Sequence, residues 1–147
     1  MPRTTISNTD YHPAVAGFSQ AVQANGAGTF IFVSGLLTER RGVDGQTAWY
    51  NDAATVADEG NIEGQTRRIF ESLKRILAEA SATLDDVVRI VIYLVNMDHY
   101  PVVHKVRWEY FGDSPPASTC VQVVRLYDQR QLIEIEATAI VSQPRSG

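Results

Sequence analysis

The stretch that decides the fold is residues 61–95, which read NIEGQTRRIFESLKRILAEASATLDDVVRIVIYLV. Over 61–80, apolar side chains recur at spacings of three and four, which predicts one amphipathic helix. The predicted apolar stripe consists of Ile62, Thr66, Ile69, Phe70, Leu73, Ile76 and Leu77. Asn61 suits the N-cap and Glu63 the first turn, where the helix dipole favours negative charge. The β-branched residues of 87–95 then predict a strand.

The other predicted elements lie on both sides of this helix and strand. Strands are predicted over 4–7, 20–24, 29–37, 119–126 and 132–141, of which the last two are predicted to form a pair, and a second helix is predicted over 100–111. Asn25-Gly26 accepts the positive φ of a tight turn, so 20–24 and 29–34 are predicted to form a β-hairpin. The second helix has Pro101 in its first turn and Gly112 after its end, as helix boundaries favour. Its predicted inner side is Val103, Val106, Arg107 and Tyr110.

The strands 29–37 and 87–95 are apolar on both faces, whereas 132–141 alternates strictly between apolar and mainly polar residues. Two helices can cover only one face of such a sheet, and the 147 residues leave nothing to cover the other. We therefore predict one α+β domain over 1–147, with two helices on one face of a mixed sheet. A homo-oligomer is expected to cover the second face.

Composition and charge exclude several classes of protein. Hydrophobic residues make up 44% of the chain and charged residues 20%, as in ordinary globular proteins. The net charge of −4 disfavours nucleic acid as a partner, and no apolar run reaches the roughly 18 residues of a membrane span. Cys120 is the only cysteine, and residues 1–13 lack the apolar core of a secretory signal. The expected location is the reducing cytoplasm.

Two segments are predicted to lack regular structure. Residues 38–60 show no periodicity and are predicted to form a long loop, which in a compact domain usually serves a site or an interface. Its adjacent Trp49 and Tyr50 either anchor the loop on the core or line a pocket wall. The tail over 143–147 is predicted to be frayed.

Metal and nucleotide sites find no support in the sequence. His12, His99 and His104 are scattered without a metal-ligand spacing. The glycine-rich dinucleotide and phosphate-loop motifs are absent, and so is the Gly-x-Ser-x-Gly turn of hydrolases.

Polar residues on otherwise apolar strands are the candidates for chemistry: Ser34, Cys120, Glu134 and Glu136. The two glutamates share one face, where their charges repel, so one of them is expected to take up a proton unless cations or solvent intervene. A carboxyl group with a raised pKa in an intersubunit cleft can move protons to or from a substrate or water. The alternative interpretation is structural, with both glutamates paired to Arg89, Arg125 or Arg130. Cys120 alone is more typical of a small buried hydrophobe than of a nucleophile.

The C-terminal sequence resembles that of a known family. Residues 116–126 read PASTCVQVVRL and 132–137 read LIEIEA, and they resemble the signature of the Rid/YjgF family of enamine/imine deaminases. Further matches are FSQAV at 18–22, FVSG at 32–35 and YLVNM at 93–97. The resemblance implies a chorismate-mutase-like domain that forms trimers with ligand clefts between subunits. It also implies hydrolysis of reactive enamines, in their imine form, to a 2-keto acid and ammonia, with no metal or organic cofactor.

The same resemblance implies roles for individual residues. Glu134 matches the glutamate that moves protons, and Cys120 matches a cysteine whose backbone lines the cleft. Ser34 matches a serine that borders the ligand, and Phe18 stands where the family has a tyrosine. His104 falls where many members have asparagine.

Ser118 is the main departure from the family pattern, because the family motif has an arginine at this point. That arginine makes two charge-assisted hydrogen bonds to a substrate carboxylate, which a serine cannot replace. The sequence therefore predicts an altered substrate preference, for a neutral or differently oriented substrate, unless another cation such as Arg107 or Arg125 substitutes. The alternative function is a small-molecule-binding trimer without catalysis.

Overall fold

The computed structural model describes residues 3–6, 21–24, 28–38, 40–41 and 55–142. The strands are β1 (Arg3–Ile6), β2 (Ala21–Ala24), β3 (Gly28–Leu36), β4 (Arg40–Arg41), β5 (Thr55–Val56), β6 (Val87–Leu94), β7 (Ala117–Gln122) and β8 (Ile133–Ser142). The helices are α1 (Ile62–Glu79) and α2 (Tyr100–Phe111), with short 3-10 turns at Leu84–Asp86 and Met97–His99. Both predicted helices are confirmed. Phe18, Trp49, Tyr50, the tail 143–147 and most of the predicted loop lie outside the described residues.

The main sheet has four strands in the order β3-β8-β6-β7. β8 runs antiparallel to both of its neighbours, and β6 runs parallel to β7. A parallel pair needs a crossover connection, and α2 supplies it between β6 and β7. The sheet is therefore mixed, as predicted. Two-stranded antiparallel ladders join β1 to β2 and β4 to β5.

Two predicted strand neighbours are wrong within the described residues. β2 pairs with β1, whereas β3 pairs with β8, so the hairpin expected around Asn25-Gly26 does not form. Turn residues permit a chain reversal but do not choose the partner strand. Pairing with β8 places Ile31 opposite Ala139 and Val33 opposite Ala137. These side chains of β3 therefore pack in the core together with those of β8. The last two strands are likewise separated, because β6 lies between β7 and β8.

The core lies between the sheet and its two helices. The helices contribute Ile69, Phe70, Leu73, Leu77, Val103 and Val106, and the sheet contributes Ile90, Ile92, Leu94, Ile133 and Ile135. The predicted stripe of α1 is confirmed except at Ile76, which is 41% exposed. On α2, Phe111 is buried more deeply than the predicted Tyr110, and both rings pack against Phe70.

The helix boundaries follow the predicted capping residues. Asn61 Oδ1 accepts a hydrogen bond from Gly64 N at 3.0 Å, so Asn61 is the N-cap of α1. Pro101 lies in the first turn of α2, and Gly112 ends that helix with a φ of 52°. Neither helix is long and apolar enough to cross a membrane, and the described chain contains no other candidate span.

The second face of the sheet is apolar at β3, as predicted. Phe30 is 59% exposed and Phe32 is 79% exposed, and their rings stack with centroids 6.2 Å apart. Exposed apolar surface of this kind is typical of a protein contact. β3 and β7 are also the two edges of the four-stranded sheet, where backbone groups can pair with a neighbouring chain.

Candidate active site

A pocket of about 240 Å³ opens between β7 and α2. Its lining consists of Met97, Tyr100, Arg107, Ser118 and Cys120. Ser118 and Cys120 alternate with Thr119 along β7, so both side chains point to the helix-covered face. The sheet ends at β7, which leaves this side of the core without a further strand. The motif around Ser118 therefore lines a pocket.

Arg107 brings a positive charge into this pocket from α2. The residue is only 1% exposed. Its Nη1 donates a hydrogen bond to Ser118 Oγ at 2.8 Å, and its Nη2 donates to Tyr100 Oη at 3.4 Å. The guanidinium carbon lies 5.9 Å from the centre of the Tyr100 ring. Ser118 thus stands beside a guanidinium that comes from a different element.

The Arg107 guanidinium has no negative partner in the described part of the chain. Its two bonded partners are neutral hydroxyl groups, and its buried Nε has no hydrogen-bond partner. Buried charges in proteins are usually paired, because an isolated charge in a low-dielectric interior is costly. The other cation considered from sequence, Arg125, is exposed and donates to Leu126 O at 3.4 Å.

Two predicted ligand-bordering residues lie at or near the same pocket. Burial raises the pKa of the Cys120 thiol, and the charge of Arg107 opposes that rise. A thiol with a raised pKa is protonated at neutral pH, so Cys120 forms part of the wall rather than a nucleophile. His104 follows Tyr100 by about one turn of α2, with their ring centroids 5.9 Å apart.

Glu134 lies on the opposite face of the sheet. It stands across from Tyr93 of β6, while Ile133 and Ile135 on either side of it point into the core. Its carboxyl group lies against the backbone of Gly35, where β3 and β8 shift register. A Cβ at position 35 would overlap Glu134 Oε1 and Cδ, so the close approach requires glycine. The exposed Ser34 directly precedes this contact.

The environment of Glu134 favours its protonated form. Burial raises the pKa of Glu134, and the negative charge of Glu136 adds to that effect. Burial and these two carboxylates also raise the pKa of Tyr93. The structural interpretation from sequence holds for Glu136, whose Oε1 lies 3.6 Å from Arg89 Nη1. No ion pair to Glu134 occurs within the described residues.

A pair of buried glutamines holds the chain that leads into Glu134. Gln65 Nε2 donates to Arg130 O at 3.0 Å, and its Oε1 accepts from Leu132 N at 2.8 Å. Gln131 accepts from Thr38 N and Oγ1 and donates to Thr38 O. This role was not predicted, although a glutamine on the apolar side of a helix, as Gln65 is beside Thr66, indicates a buried hydrogen-bonding side chain.

The predicted site residues therefore form two groups on opposite faces of one sheet. Ser118, Cys120 and His104 belong to the pocket group, whereas Ser34 and Glu134 belong to the second face. Phe18 lies outside the described residues. Met97 and Tyr100 were not predicted as pocket residues. The spacing of Tyr100, His104 and Arg107, four and three residues apart, does indicate that they share one face of α2.

Comparison with known proteins identifies the family. The family described as endoribonuclease L-PSP matches residues 9–141 of the chain. A RutC family protein of Pyrococcus abyssi is 38% identical over 125 residues, which cover 85% of this chain and 87% of the relative. The chain belongs to the Rid/YjgF family. Its fold is likewise similar to a crystal structure of a Rid family protein, YyfB of Yersinia pestis, with a TM-score of 0.71, 30% identity and coverage of 96% and 100%.

Other Rid/YjgF relatives show the same breadth of match. A RutC family protein of Synechocystis is 32% identical over 138 residues, covering 92% of this chain and 95% of the relative. The mitochondrial protein MMF1 of Saccharomyces cerevisiae is 31% identical over 123 residues, covering 84% and 74%. The match thus spans the pocket motif, α1 and the Glu134 strand together.

Proposed function

We propose that this protein is a hydrolytic enamine/imine deaminase that acts on a small molecule in a cleft between subunits of a homotrimer. The observation that carries the proposal is the Glu134 carboxyl group. Burial raises the pKa of this group. The absence of a side chain at Gly35 lets the carboxyl group lie against the backbone of β3, and no ion pair in the described residues neutralises its charge. A carboxyl group whose pKa is raised accepts a proton more readily than an ordinary carboxylate and can return it during a reaction.

Assembly is required for the two groups of site residues to act on one molecule. The pocket and Glu134 lie on opposite faces of the same sheet, so a neighbouring subunit's Glu134 is the one proposed to approach the pocket. Phe30 and Phe32 are exposed on the same sheet face as Glu134 and support a contact at this face. Val121, Val124 and Tyr127 add exposed apolar surface next to the pocket strand. The trimeric state itself comes from the family resemblance.

The proposed reaction needs one water molecule and one proton carrier. Transfer of a proton from the enamine nitrogen to its β-carbon first gives the imine. Water then adds through its oxygen to the imine carbon while the C=N electron pair moves to nitrogen. Glu134 takes a proton from the water and returns it to that nitrogen. The carbinolamine collapses when the hydroxyl proton passes to nitrogen, the C–N bond breaks, and the carbonyl compound and ammonia leave.

The pocket residues are proposed to bind and orient the substrate. Ser118 and Cys120 border it on the strand side, with His104 nearby on α2, and Ser34 is proposed to border it from the other face. The family resemblance implies that Phe18 also contacts the ligand. Serine at position 118 instead of the family's arginine is proposed to change which substrate is preferred. This reaction uses no metal or organic cofactor, and among the described residues no cluster of His, Cys, Asp or Glu side chains is arranged to hold a metal ion.

Ligand binding without catalysis is the second candidate function. The observation that favours it is Ser118, since the motif has lost the side chain that clamps a substrate carboxylate in the family. The pocket would then bind a small molecule while Glu134 moves no proton.

The basic residues of α1 do not favour ribonuclease activity. Arg67 Nη2 lies 2.7 Å from Glu63 Oε1, and its Nη1 lies 2.6 Å from Glu109 Oε2. Lys74 Nζ lies 3.3 Å from Glu71 Oε2. These acidic partners offset the positive charge that would attract a phosphate backbone.

Ammonia release from enamines generated in situ tests the proposal. We expect Glu134→Gln to lower the rate about 10²–10⁴-fold, as loss of a general acid–base group does. Glu136→Gln is the matched control, because it removes a carboxylate on the same face that is paired with Arg89; a smaller loss is expected. An unchanged rate in Glu134→Gln would show that this residue is not the proton carrier. An inert wild type that still binds ligand would favour the binding function.

The cytoplasmic location predicted from sequence stays a prediction. Two of the similar relatives, from Saccharomyces cerevisiae and Schizosaccharomyces pombe, are mitochondrial by name. Imaging of the tagged full-length chain in its native cell would test it.

A further inference from the structure

Arg107 is a buried charge that the fold does not neutralise. Its guanidinium is 1% exposed and lines the pocket, yet its bonded partners are the neutral hydroxyls of Ser118 and Tyr100. The Nε atom is buried without a partner, and the described residues offer no carboxylate within ion-pair distance. Proteins rarely bury a charge in this way unless a ligand or cofactor completes its pairing.

We infer that Arg107 and Ser118 together form the carboxylate-binding site of this pocket. The positive charge of the family motif is thus supplied by α2 instead of β7. Arg107 Nη1 lies 2.8 Å from Ser118 Oγ, so this charge is in direct contact with the residue that replaces the motif arginine. Of the alternatives that the sequence left open, this inference selects Arg107 as the substituting cation and a differently oriented carboxylate rather than a neutral substrate.

The hydrogen-bond directions fit an anion. Ser118 Oγ accepts its bond from Arg107, so its own hydroxyl proton remains available to a ligand. Arg107 Nη2 makes only the long 3.4 Å bond to Tyr100 Oη. One carboxylate oxygen can therefore accept from Arg107 Nη2 and the other from the Ser118 hydroxyl. Such charge-assisted bonds are stronger than the neutral contact that they replace.

The part of the pocket that one chain forms is small and mostly apolar. The pocket volume of about 240 Å³ is below the roughly 300–1,000 Å³ of sites for drug-sized molecules. Met97, Tyr100 and Cys120 present largely apolar surfaces to the rest of the ligand. The fitting class is a small 2-imino or 2-oxo carboxylate. This inference rests on the proposed function for the reacting imine, but the carboxylate contact stands independently of catalysis.

Calorimetric titration with 2-oxobutanoate and with uncharged butanone tests the inference. Wild type is expected to bind the acid and to bind butanone at least tenfold more weakly. Arg107→Met is expected to weaken acid binding about 10- to 150-fold, the loss typical of a charged hydrogen bond. Ser118→Ala is expected to weaken it about 2- to 10-fold, the loss of a neutral one. In both variants butanone binding should weaken less than acid binding, because the ketone lacks the carboxylate that these residues contact.

A variant that moves the positive charge distinguishes loss of the charge from misfolding of Arg107→Met. Arg107→Gln combined with Ser118→Arg moves the guanidinium to β7 and is expected to restore acid binding. Equal binding of acid and ketone by wild type would overturn the inference without any variant, and so would full acid binding by folded Arg107→Met.

The same measurements separate this inference from the proposed function. Acid binding that depends on Arg107, without ammonia release from any enamine, keeps the inference and overturns the deaminase proposal. Ammonia release that is unaffected by Arg107→Met keeps the deaminase proposal and overturns the inference about Arg107.

Discussion

The two faces of the central sheet handle charge in opposite ways. On the helix-covered face, Arg107 carries a positive charge that is buried among Tyr100, Ser118 and apolar walls. On the other face, which also carries the stacked Phe30 and Phe32, Glu134 is partly exposed, and burial and Glu136 shift its pKa towards the neutral form. One face is suited to holding an anion and the other to passing a proton.

This contrast explains why neither face alone forms a complete active site. Binding without a proton carrier would leave a small-molecule receptor, and a carboxyl group without an anchor would have no oriented substrate. Joining the two across a subunit contact supplies both. Experiments that disturb one face and spare the other therefore show whether the two groups act as one site.

Among variants that keep both Glu134 and Arg107, Gly35→Ala is expected to give the largest effect, because it acts directly on Glu134. The added Cβ overlaps Glu134 Oε1 and Cδ, so the carboxyl group must move away from β3. Misplacement of a reacting group by about 1 Å can cost about 10²-fold in rate. We expect a loss of this order in ammonia release, measured together with 2-oxobutanoate binding, which should not change.

A double substitution shows whether Gly35 acts through Glu134. If it does, Gly35→Ala combined with Glu134→Gln should be no slower than Glu134→Gln alone, since coupled residues are not additive. Rate losses that multiply would mean that Gly35 supports the fold independently of the carboxyl group.

Gln131→Leu is expected to lower stability and to disturb the Glu134 face selectively. Gln131 is fully buried and satisfies Thr38 N, Oγ1 and O. Each buried polar group left without a partner costs about 1–3 kcal/mol. Urea denaturation should therefore show a loss of at least about 1 kcal/mol, and ammonia release should fall because the chain entering β8 loosens.

Gln129→Ala is the matched control for Gln131→Leu, because Gln129 is exposed two residues earlier. It should leave both stability and rate within experimental error. Weakened 2-oxobutanoate binding in Gln131→Leu would contradict the separation of the two faces, since Arg107 lies on the other side of the sheet.

The elements of the fold were predictable from sequence because they depend on local patterns. The stripe of α1, its Asn61 cap and the alternation of 132–141 follow from periods of 3.6 and 2 residues. Strand neighbours were not predictable in the same way. Asn25-Gly26 indicated a reversal, yet β3 pairs with a strand more than a hundred residues later in the chain.

The site was predictable residue by residue but not as an arrangement. The family motif indicated Glu134 and the missing arginine at Ser118. That Arg107 replaces it depends on how α2 packs against β7, and helix periodicity gives only the side of the helix. The bonds between Gln131 and Thr38 span 93 residues, and no local pattern encodes such a contact.

The pH dependence of stability is expected to give the smallest effect and to come from the Glu134 face. Because burial and Glu136 raise the pKa of Glu134, the folded protein holds this proton more tightly than the unfolded chain does. Stability from this group is thus highest below the unfolded value of about 4.3 and falls as pH rises through the raised pKa. Exposure to solvent reduces the size of the effect.

Urea denaturation of wild type and Glu134→Gln between pH 4 and 7 measures this contribution. The wild type should lose stability relative to the variant as pH rises, and Glu136→Gln should show a shallower loss because the secondary charge is gone. Burial, the larger cause, remains in Glu136→Gln, so part of the slope must persist there. A slope of the opposite sign would mean that an unseen cation pairs with Glu134 in the assembled protein, and the proton-carrying face would then be a structural ion pair.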